Sequence, residues 1–253
     1  MEINNNYFLV TGAGSGLGFA TAQRLLEAGA NVVMTDRNSD IRRIAEQLGE
    51  RAVGLQGDVA SENDMQKAVA LATGPNGLHG VVHCAGIAYT ENILGSDGKP
   101  AGLDNYRNVL ETNLVGTFNV IRLAAAAMHD NHPDEANGER GVIITVSSIC
   151  AFDGGAGTCA YAASKAGVAA MVLPAARELG AHGIRLMSVA PGPFGTAMLA
   201  DKPVERVQAS VQIAAFPKRL GNAAEFASLV EHIIRNVMLN AETIRLDGGV
   251  RLR

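Results

Sequence analysis

The sequence predicts an α/β fold with a doubly wound, mainly seven-stranded parallel sheet and helices on both faces. Short apolar segments alternate with helical patterns, and most of these segments are continuous apolar runs, as in strands buried on both faces. The composition, with 47% hydrophobic and 18% charged residues, is that of a globular protein. No linker, composition shift or internal repeat divides the chain, so we expect a single domain over residues 1–253.

Each predicted strand is a short apolar segment that ends in glycine or polar residues. In chain order these strands cover residues 7–10, 31–35, 52–56, 80–83, 142–146, 184–189 and 243–246. A glycine-rich turn follows the first strand, and a helical pattern then continues to Ala28, where Gly29 stops it. Further helices are predicted at 39–48, after Ser61, from about 104 past 128, from Tyr161 to about 181 and at 223–235.

Local signals refine this outline. Ser61 and Asp64 have the spacing of a reciprocal helix cap, in which each side chain binds the other residue's backbone N–H. Two polar stretches, 87–102 and 129–138, interrupt the alternation of strands and helices. The first is long enough to be a functional loop instead of a simple connector.

Charge and cysteine content exclude several classes of protein. A net charge of −4 provides no basic surface for nucleic acid or anionic membranes. No run of about 18 apolar residues exists, so no membrane span is expected. Cys84, Cys150 and Cys159 are odd in number and lack C-x-x-C spacing, which argues against a disulfide framework and a zinc site. We expect no metal and, since no secretory signal is present, a reduced cytoplasmic location.

The turn after the first strand reads Thr11-Gly12-Ala13-Gly14-Ser15-Gly16-Leu17-Gly18. A glycine-rich turn that enters a helix presents backbone N–H groups to a phosphate. The spacing is G-x-x-x-G-x-G, which is neither G-x-G-x-x-G nor a P-loop. The turn alone is weak evidence, but its place at the first strand–helix junction strengthens it.

An aspartate ends the second strand. Asp36 lies eighteen residues after Gly18, where a carboxylate can accept hydrogen bonds from an adenosine ribose. Such a carboxylate would repel a 2′-phosphate and so favours NAD over NADP, although the adjacent Arg37 can tolerate that phosphate. Asp58, after the third strand, is a plausible partner for the adenine edge, but alone it would more often be a cap. The alternative that Asp36 is only a solvated aspartate at the end of a strand also stays open.

A possible proton-transfer site follows the fifth strand. Ser148 precedes Tyr161 by thirteen residues, and Lys165 follows the tyrosine by four, which is one helical turn. The lysine charge and the helix N-terminus should both lower the pKa of the phenol, and Ser148 can donate a hydrogen bond to a substrate oxygen. This chemistry suits a carbonyl/alcohol pair. The spacing alone favours an ordinary surface tyrosine and lysine.

Placement along the sheet favours the functional interpretation. Ser148, the tripeptide at 84–86 and Pro191-Gly192 all follow the carboxyl ends of predicted strands. Ligands bind at that edge in open parallel sheets.

Together these residues resemble the short-chain dehydrogenase/reductase family over nearly the whole chain. The motifs that carry the resemblance are the glycine-rich turn, Asp58-Val59, Cys84-Ala85-Gly86, Asn113, Ser148, Tyr161-x-x-x-Lys165 and Pro191-Gly192 with Thr196. The resemblance implies a Rossmann-type fold with a nucleotide-binding half at about 1–145 and a catalytic half at about 146–253. It implies catalysis by Ser148, Tyr161 and Lys165, with Asn113 holding a water that links the lysine to solvent.

The resemblance also implies NAD as the cofactor. The residues expected to bind it are Gly12, Ser15, Gly16, Leu17, Gly18, Asp36, Asp58, Val59, Cys84, Ala85, Gly86, Tyr161, Lys165, Pro191, Phe194 and Thr196.

A closer likeness is to the type II 3-hydroxyacyl-CoA dehydrogenases, and it is carried by segments 83–88, 116–123, 190–196, 216–221 and 244–249 and by the two polar loops. It implies an acyl-CoA substrate, contacts from Ser148, Gly155 and Tyr161, and a homotetramer. That subgroup commonly has glutamine at the positions of Gly155 and Thr158, so the exact substrate is open.

Other functions remain to be weighed. A dehydrogenase for another alcohol, such as a hydroxysteroid, a sugar alcohol or 3-oxoacyl-ACP, would carry the same residues. A silent NAD(H)-sensing protein could dispense with Ser148, Tyr161 or Lys165, and all three are present. A serine hydrolase is disfavoured, since no serine lies in G-x-S-x-G. Asn113 could also bond locally within its helix.

Overall fold

The computed structural model describes residues 1–196, Leu199 and 204–252. Its centre is a seven-stranded sheet in the order β3-β2-β1-β4-β5-β6-β7, with every adjacent pair parallel. The predicted fold class is confirmed. The strands are β1 Tyr7–Thr11, β2 Asn31–Asp36, β3 Ala52–Gln56, β4 Gly80–His83, β5 Gly141–Val146, β6 Ile184–Pro191 and β7 Thr243–Leu246.

Helices connect the strands and cover both faces of the sheet. The α-helices formed by the described residues are α1 Gly16–Glu27, α2 Ile41–Glu46, α3 Glu62–Ala72, α4 Leu103–Leu110, α5 Gly116–His129, α6 Cys159–Gly180, α7 Val204–Gln212 and α8 Ala223–Arg235. A π-helical turn, Glu111–Val115, joins α4 to α5, and a 3-10 turn, Ile149–Ala151, follows β5.

The core has one apolar cluster on each face of the sheet. Successive side chains of a strand point to opposite faces, so Phe8 and Val10 of β1 enter one cluster while Leu9 enters the other. The first cluster includes apolar residues of α1, α2 and α8, and the second includes those of α3, α5 and α6. This double burial explains why the strands read as continuous apolar runs.

The long helix expected from about 104 past 128 is interrupted. Its backbone shifts to π-helical geometry at Glu111–Val115 before α5 continues. Helix α2 is shorter than the predicted 39–48, and α7 lies in a stretch for which no element was predicted.

The reciprocal cap predicted at Ser61 is half wrong. Ser61 Oγ accepts the N–H of Asp64 at 3.3 Å, as expected. The Asp64 carboxylate, however, accepts the N–H of Asp58 at 3.2 Å, while the Ser61 N–H donates to the carbonyl of Asp58. The chain turns tightly after β3, so Asp64 fastens that turn instead of closing the cap.

One described helix, α6, is long and apolar enough to cross a membrane by length and composition. The sequence argument missed it because charged residues interrupt the apolar run. This is weak evidence for a span, since core helices of soluble proteins pass the same test. Here Val168 and Val172 of α6 are buried, and the helix carries Lys165 into the core.

Candidate active site

A cleft of about 600 Å³ lies at the carboxyl ends of the strands. The register aligns Thr11 with Thr35 on one side and His83 on the other, so the turns after β1, β2 and β4 meet at one edge. The strand order reverses between β1 and β4, which is where open α/β sheets bind their ligands.

Most of the predicted site residues line this cleft. All sixteen residues expected to bind the cofactor line it, and so does Ser148: Gly12, Ser15, Gly16, Leu17, Gly18, Asp36, Asp58, Val59, Cys84, Ala85, Gly86, Ser148, Tyr161, Lys165, Pro191, Phe194 and Thr196. Asn113 and Gly155 are not among the described residues that line it.

The glycine-rich turn is shaped by close backbone approaches. Gly12 has φ of +63°, and a Cβ there would lie 2.7 Å from the Ala85 nitrogen. A Cβ at Gly18 would overlap the Gly12 carbonyl oxygen. Ser15 precedes α1 without a side-chain capping bond, and the first turn of α1 carries no acidic residue. The helix therefore presents unblocked N–H groups and its positive end, which fits the pyrophosphate of a dinucleotide.

Asp36 lies beside this turn. Its Oδ2 accepts the N–H of Gly14 at 2.9 Å, and its Oδ1 accepts the N–H of Asn38 at 3.0 Å. A carboxylate has about four acceptor positions, so capacity remains for two ribose hydroxyls. Arg37 lies 3.7 Å from Asp58 in an ion pair at the same end of the cleft.

The end of β4 is fastened to β1. Thr11 Oγ1 lies 2.8 Å from His83 Nδ1 and accepts the N–H of Ala85 at 3.2 Å. Burial and the nearby Lys165 lower the pKa of His83 to about 3, so its imidazole is neutral. Burial raises the pKa of the Cys84 thiol to about 12. Because His83 and Cys84 are neutral near pH 7, Lys165 is the charged member of these three neighbouring residues.

Lys165 is held from two sides. Its Nζ donates to the carbonyl of Val146 at 2.8 Å, and the Ser147 hydroxyl donates to its backbone carbonyl at 2.8 Å. The Nζ lies 5.9 Å from the centre of the Tyr161 ring. Burial lowers the pKa of Lys165 to about 8. The remaining Nζ hydrogens can reach a ligand, since an ammonium has three donors.

Ser148 is another polar neighbour of the tyrosine. Its Oγ accepts the N–H of Cys150 at 3.1 Å, which leaves its own proton to donate. Burial raises the pKa of Tyr161 to about 12, although the hydrogen bond with Ser148 acts to lower it. The predicted net lowering of the Tyr161 pKa is therefore wrong. Loss of solvent disfavours the phenolate more than its neighbours favour it.

Asn113 supports the site through hydrogen bonds to residues of two neighbouring segments. It lies in the π-helical turn and is fully buried. Its amide donates to the carbonyl of Ile87 at 2.8 Å and to Ser164 Oγ at 3.0 Å, and its Oδ1 accepts the N–H of Ile87 at 2.8 Å. Both amide hydrogens are thus used in fixing the segment after β4 to α6. The water-holding role stays a prediction.

Gly155 lies one residue outside the cleft, and its carbonyl accepts the Thr158 hydroxyl at 2.6 Å. Its substrate role also stays a prediction.

The lining residues that sequence reasoning passed over include Ile149, Cys150, Ala156, Ser210 and Leu252. Cys150 is two residues from Ser148 and could have been proposed from that proximity, whereas Leu252 gives no local signal.

The parallel sheet, glycine-rich turn and serine–tyrosine–lysine group define a nucleotide-dependent oxidoreductase. A protein-family model described as short chain dehydrogenase matches residues 6–206, and the chain belongs to this family of NAD(P)-using enzymes.

Several relatives match this chain over nearly its full length. The chain is 47% identical over 248 residues to the human protein "3-hydroxyacyl-CoA dehydrogenase type-2", covering 97% of this chain and 95% of that protein. It is 36% identical to "Ipsdienol dehydrogenase" of Ips pini, covering 99% of each. The crystal structure of 3-hydroxyacyl-CoA dehydrogenase type-2 from Mycobacterium avium matches with a TM-score of 0.94 and 34% identity, covering 100% of this chain and 99% of that one.

Proposed function

We propose that this protein is an NAD-dependent dehydrogenase that interconverts a short-chain 3-hydroxyacyl-CoA and the corresponding 3-oxoacyl-CoA. The observation that carries the proposal is that Ser148, Tyr161 and Lys165 line the same cleft as the glycine-rich turn and Asp36. The names of the relatives of 42–47% identity support the thioester substrate.

Each polar group has a role that its contacts support. The Ser148 hydroxyl, whose oxygen is already engaged by Cys150, donates to the substrate oxygen and stabilises charge that develops there. Tyr161 takes the hydroxyl proton in oxidation and supplies a proton in reduction. Lys165, fixed by Val146, binds the nicotinamide ribose and favours the phenolate. When bound, the nicotinamide cofactor supplies the hydride acceptor or donor.

The preference for NAD over NADP rests on Asp36. A carboxylate with free acceptor capacity binds the ribose hydroxyls and repels a 2′-phosphate. Arg37, the residue that could bind such a phosphate, is instead paired with Asp58. An exposed ion pair of this kind contributes at most about 1 kcal/mol, so the pairing supports the preference without enforcing it.

A spectrophotometric substrate comparison tests the proposal. Acetoacetyl-CoA with NADH is set against 3-hydroxy-2-methylbutyryl-CoA and a hydroxysteroid, each with NAD. We expect turnover of the thioesters. Turnover of the steroid without either thioester would overturn the acyl-CoA proposal and leave the family assignment intact.

The second candidate is a dehydrogenase for another alcohol. Two observations favour it: the Ips pini relative is named for ipsdienol, and Gly155 and Thr158 stand where the type II subgroup commonly has glutamine. The same assay distinguishes the two candidates when ipsdienol is added as a substrate.

We also propose a cytoplasmic homotetramer. The three cysteines are free thiols, which favours a reducing compartment. Apolar side chains on α5 and α6, including Phe118 at 56% exposure and Leu173 at 45%, suit burial between subunits. Cell fractionation tests the location.

A further inference from the structure

We propose that Leu252 sets the chain-length preference of the substrate, as part of the apolar wall next to Ser148. This inference deepens the proposed function and rests on it. Leu252 lines the cleft and packs against the small cluster of Ile149, Ala214 and Val250. Ile149 directly follows Ser148, so this cluster lies beside the hydroxyl that binds the reacting oxygen.

The chain reaches this position by a tight reversal after β7. Gly248 and Gly249 have φ of +61° and +78°, which glycine adopts without strain. The carbonyl of Gly248 accepts the N–H groups of Ala215 and Phe216, at 2.9 and 3.1 Å. The reversal turns segment 247–252 back toward the residues that follow Ser148.

Arg245 clamps this segment to the loop after Ser148. One guanidinium nitrogen, Nη2, donates to Asp153 at 2.6 Å and to the carbonyl of Val250 at 2.9 Å. Nε donates to Asp247 at 2.8 Å. The pKa of the Asp153 carboxyl is lowered chiefly by Arg245, and the nearby Leu252 backbone acts in the same direction. These bonds give Leu252 a fixed position relative to Ser148, as a specificity-determining side chain requires.

The chemistry of the wall fits an alkyl chain. Ile149 is buried and Leu252 is half-buried, and Ala156 and Cys150 also line the cleft. An apolar pocket discriminates by size, and one methylene changes the specificity ratio by roughly tenfold or more. Leu252 packs against Ile149, Ala214 and Val250, none of which belongs to the glycine-rich turn, so a change at Leu252 should spare cofactor binding.

The test measures kcat/KM with NADH for acetoacetyl-CoA, 3-oxohexanoyl-CoA and 3-oxooctanoyl-CoA. Leu252→Ala should raise the efficiency ratio of the eight-carbon to the four-carbon substrate by about tenfold, and Leu252→Phe should lower it by a similar factor. The dissociation constant for NADH should be unchanged in both. Leu229→Ala, a partly buried leucine of α8 that lies outside the cleft, is the matched control.

The clamp gives a second, independent variant. Asp153→Asn should weaken the hold of Arg245 and shift the ratio in the same direction as Leu252→Ala. Unchanged ratios in both Leu252 variants, with thermal unfolding like that of the wild type, would overturn the inference. If the wild type turns over no thioester, the proposed function fails instead. The same variants are then compared on ketones of increasing chain length that the wild type reduces, where unchanged ratios again overturn the inference.

Discussion

Tyr161 and Lys165 lie close enough for charge on one to affect the other, with 5.9 Å between Nζ and the ring centre. Burial nevertheless moves both toward their neutral forms, with the tyrosine pKa near 12 and the lysine pKa near 8. A neutral phenol is the form needed to protonate a ketone. Oxidation needs the phenolate, so positive charge in the cleft must offset the effect of burial.

Tyr161→Phe should reduce turnover by a factor of about 10² to 10⁴, since it removes only the proton-transferring oxygen. NADH should still bind because the ring and the other cofactor-binding residues remain. Steady-state kinetics and fluorescence titration measure the two effects. Tyr106→Phe, on α4 and outside the cleft, is the control. Near-normal turnover in the Tyr161 variant would refute the assignment.

Comparison of the wild type with Lys165→Met should reveal how the buried lysine makes the stability of the folded chain depend on pH. Between the folded pKa of about 8 and the ordinary value of 10.5, the unfolded chain binds more protons at this lysine than the folded chain. Stability from this group is therefore present above that range and is lost as the pH falls through it. From pH 7 to 10 the wild type should gain about 2 kcal/mol of unfolding free energy relative to the variant.

Urea denaturation at several pH values measures this difference. Lys67→Met, on an exposed position of α3, reports the effect of losing a lysine at the surface. A constant difference between the wild type and Lys165→Met across the pH range would contradict the expectation.

Asp36→Ala should lower the ratio of efficiencies with NADH and NADPH by roughly tenfold or more, the factor that about 1.4 kcal/mol gives. The variant loses hydrogen bonds to the ribose and the repulsion of a 2′-phosphate. Asp40→Ala, nearby but outside the cleft, should leave the ratio as it is. An unchanged ratio in Asp36→Ala would count against the ribose role.

At the scale of elements, the β1–α1 junction depends on the absence of side chains. A Cβ at Gly18 would overlap the Gly12 carbonyl, and backbone there cannot move without displacing the turn. Gly18→Ala should weaken NADH binding by roughly tenfold or more, which corresponds to about 1.4 kcal/mol. Gly180→Ala, where a Cβ has nothing within 4 Å, should bind NADH normally. Isothermal titration calorimetry measures the NADH affinity of both variants. Equal affinities would contradict the role of the glycine-rich turn in NADH binding.

The boundaries of the elements also show which sequence patterns predict secondary structure accurately. The sequence predicts the bounds of β3, β4, β7 and α8 to the residue, since short segments rich in apolar residues and a strong amphipathic helix are local signals. The π-helical turn was missed because its residues continue a helical pattern. What distinguishes it is the tertiary bonding of Asn113 to Ile87 and Ser164.

At the scale of the whole molecule, the exposed apolar side chains predict assembly. Phe216 is 82% exposed and Met238 is 89% exposed, in addition to Phe118 and Leu173 on the helices. Sedimentation equilibrium should give four times the chain mass of 26.3 kDa. Phe118→Glu should lower that mass, because a charge would be buried without a partner. Leu71→Glu, at an exposed position of α3, is the control, and a monomeric wild type would refute the tetramer.

The sequence by itself determined the sheet, the glycine-rich turn and the identity of Ser148, Tyr161 and Lys165, because these depend on local periodicity and on fixed spacing. Only the tertiary structure decided the charge states of the tyrosine and lysine, since burial depends on every element packed around them. It also decided that Asn113 braces Ile87 and that Leu252 reaches the wall beside Ser148. Contacts between residues that are far apart in the chain leave no local sequence pattern, whereas strands and turns do.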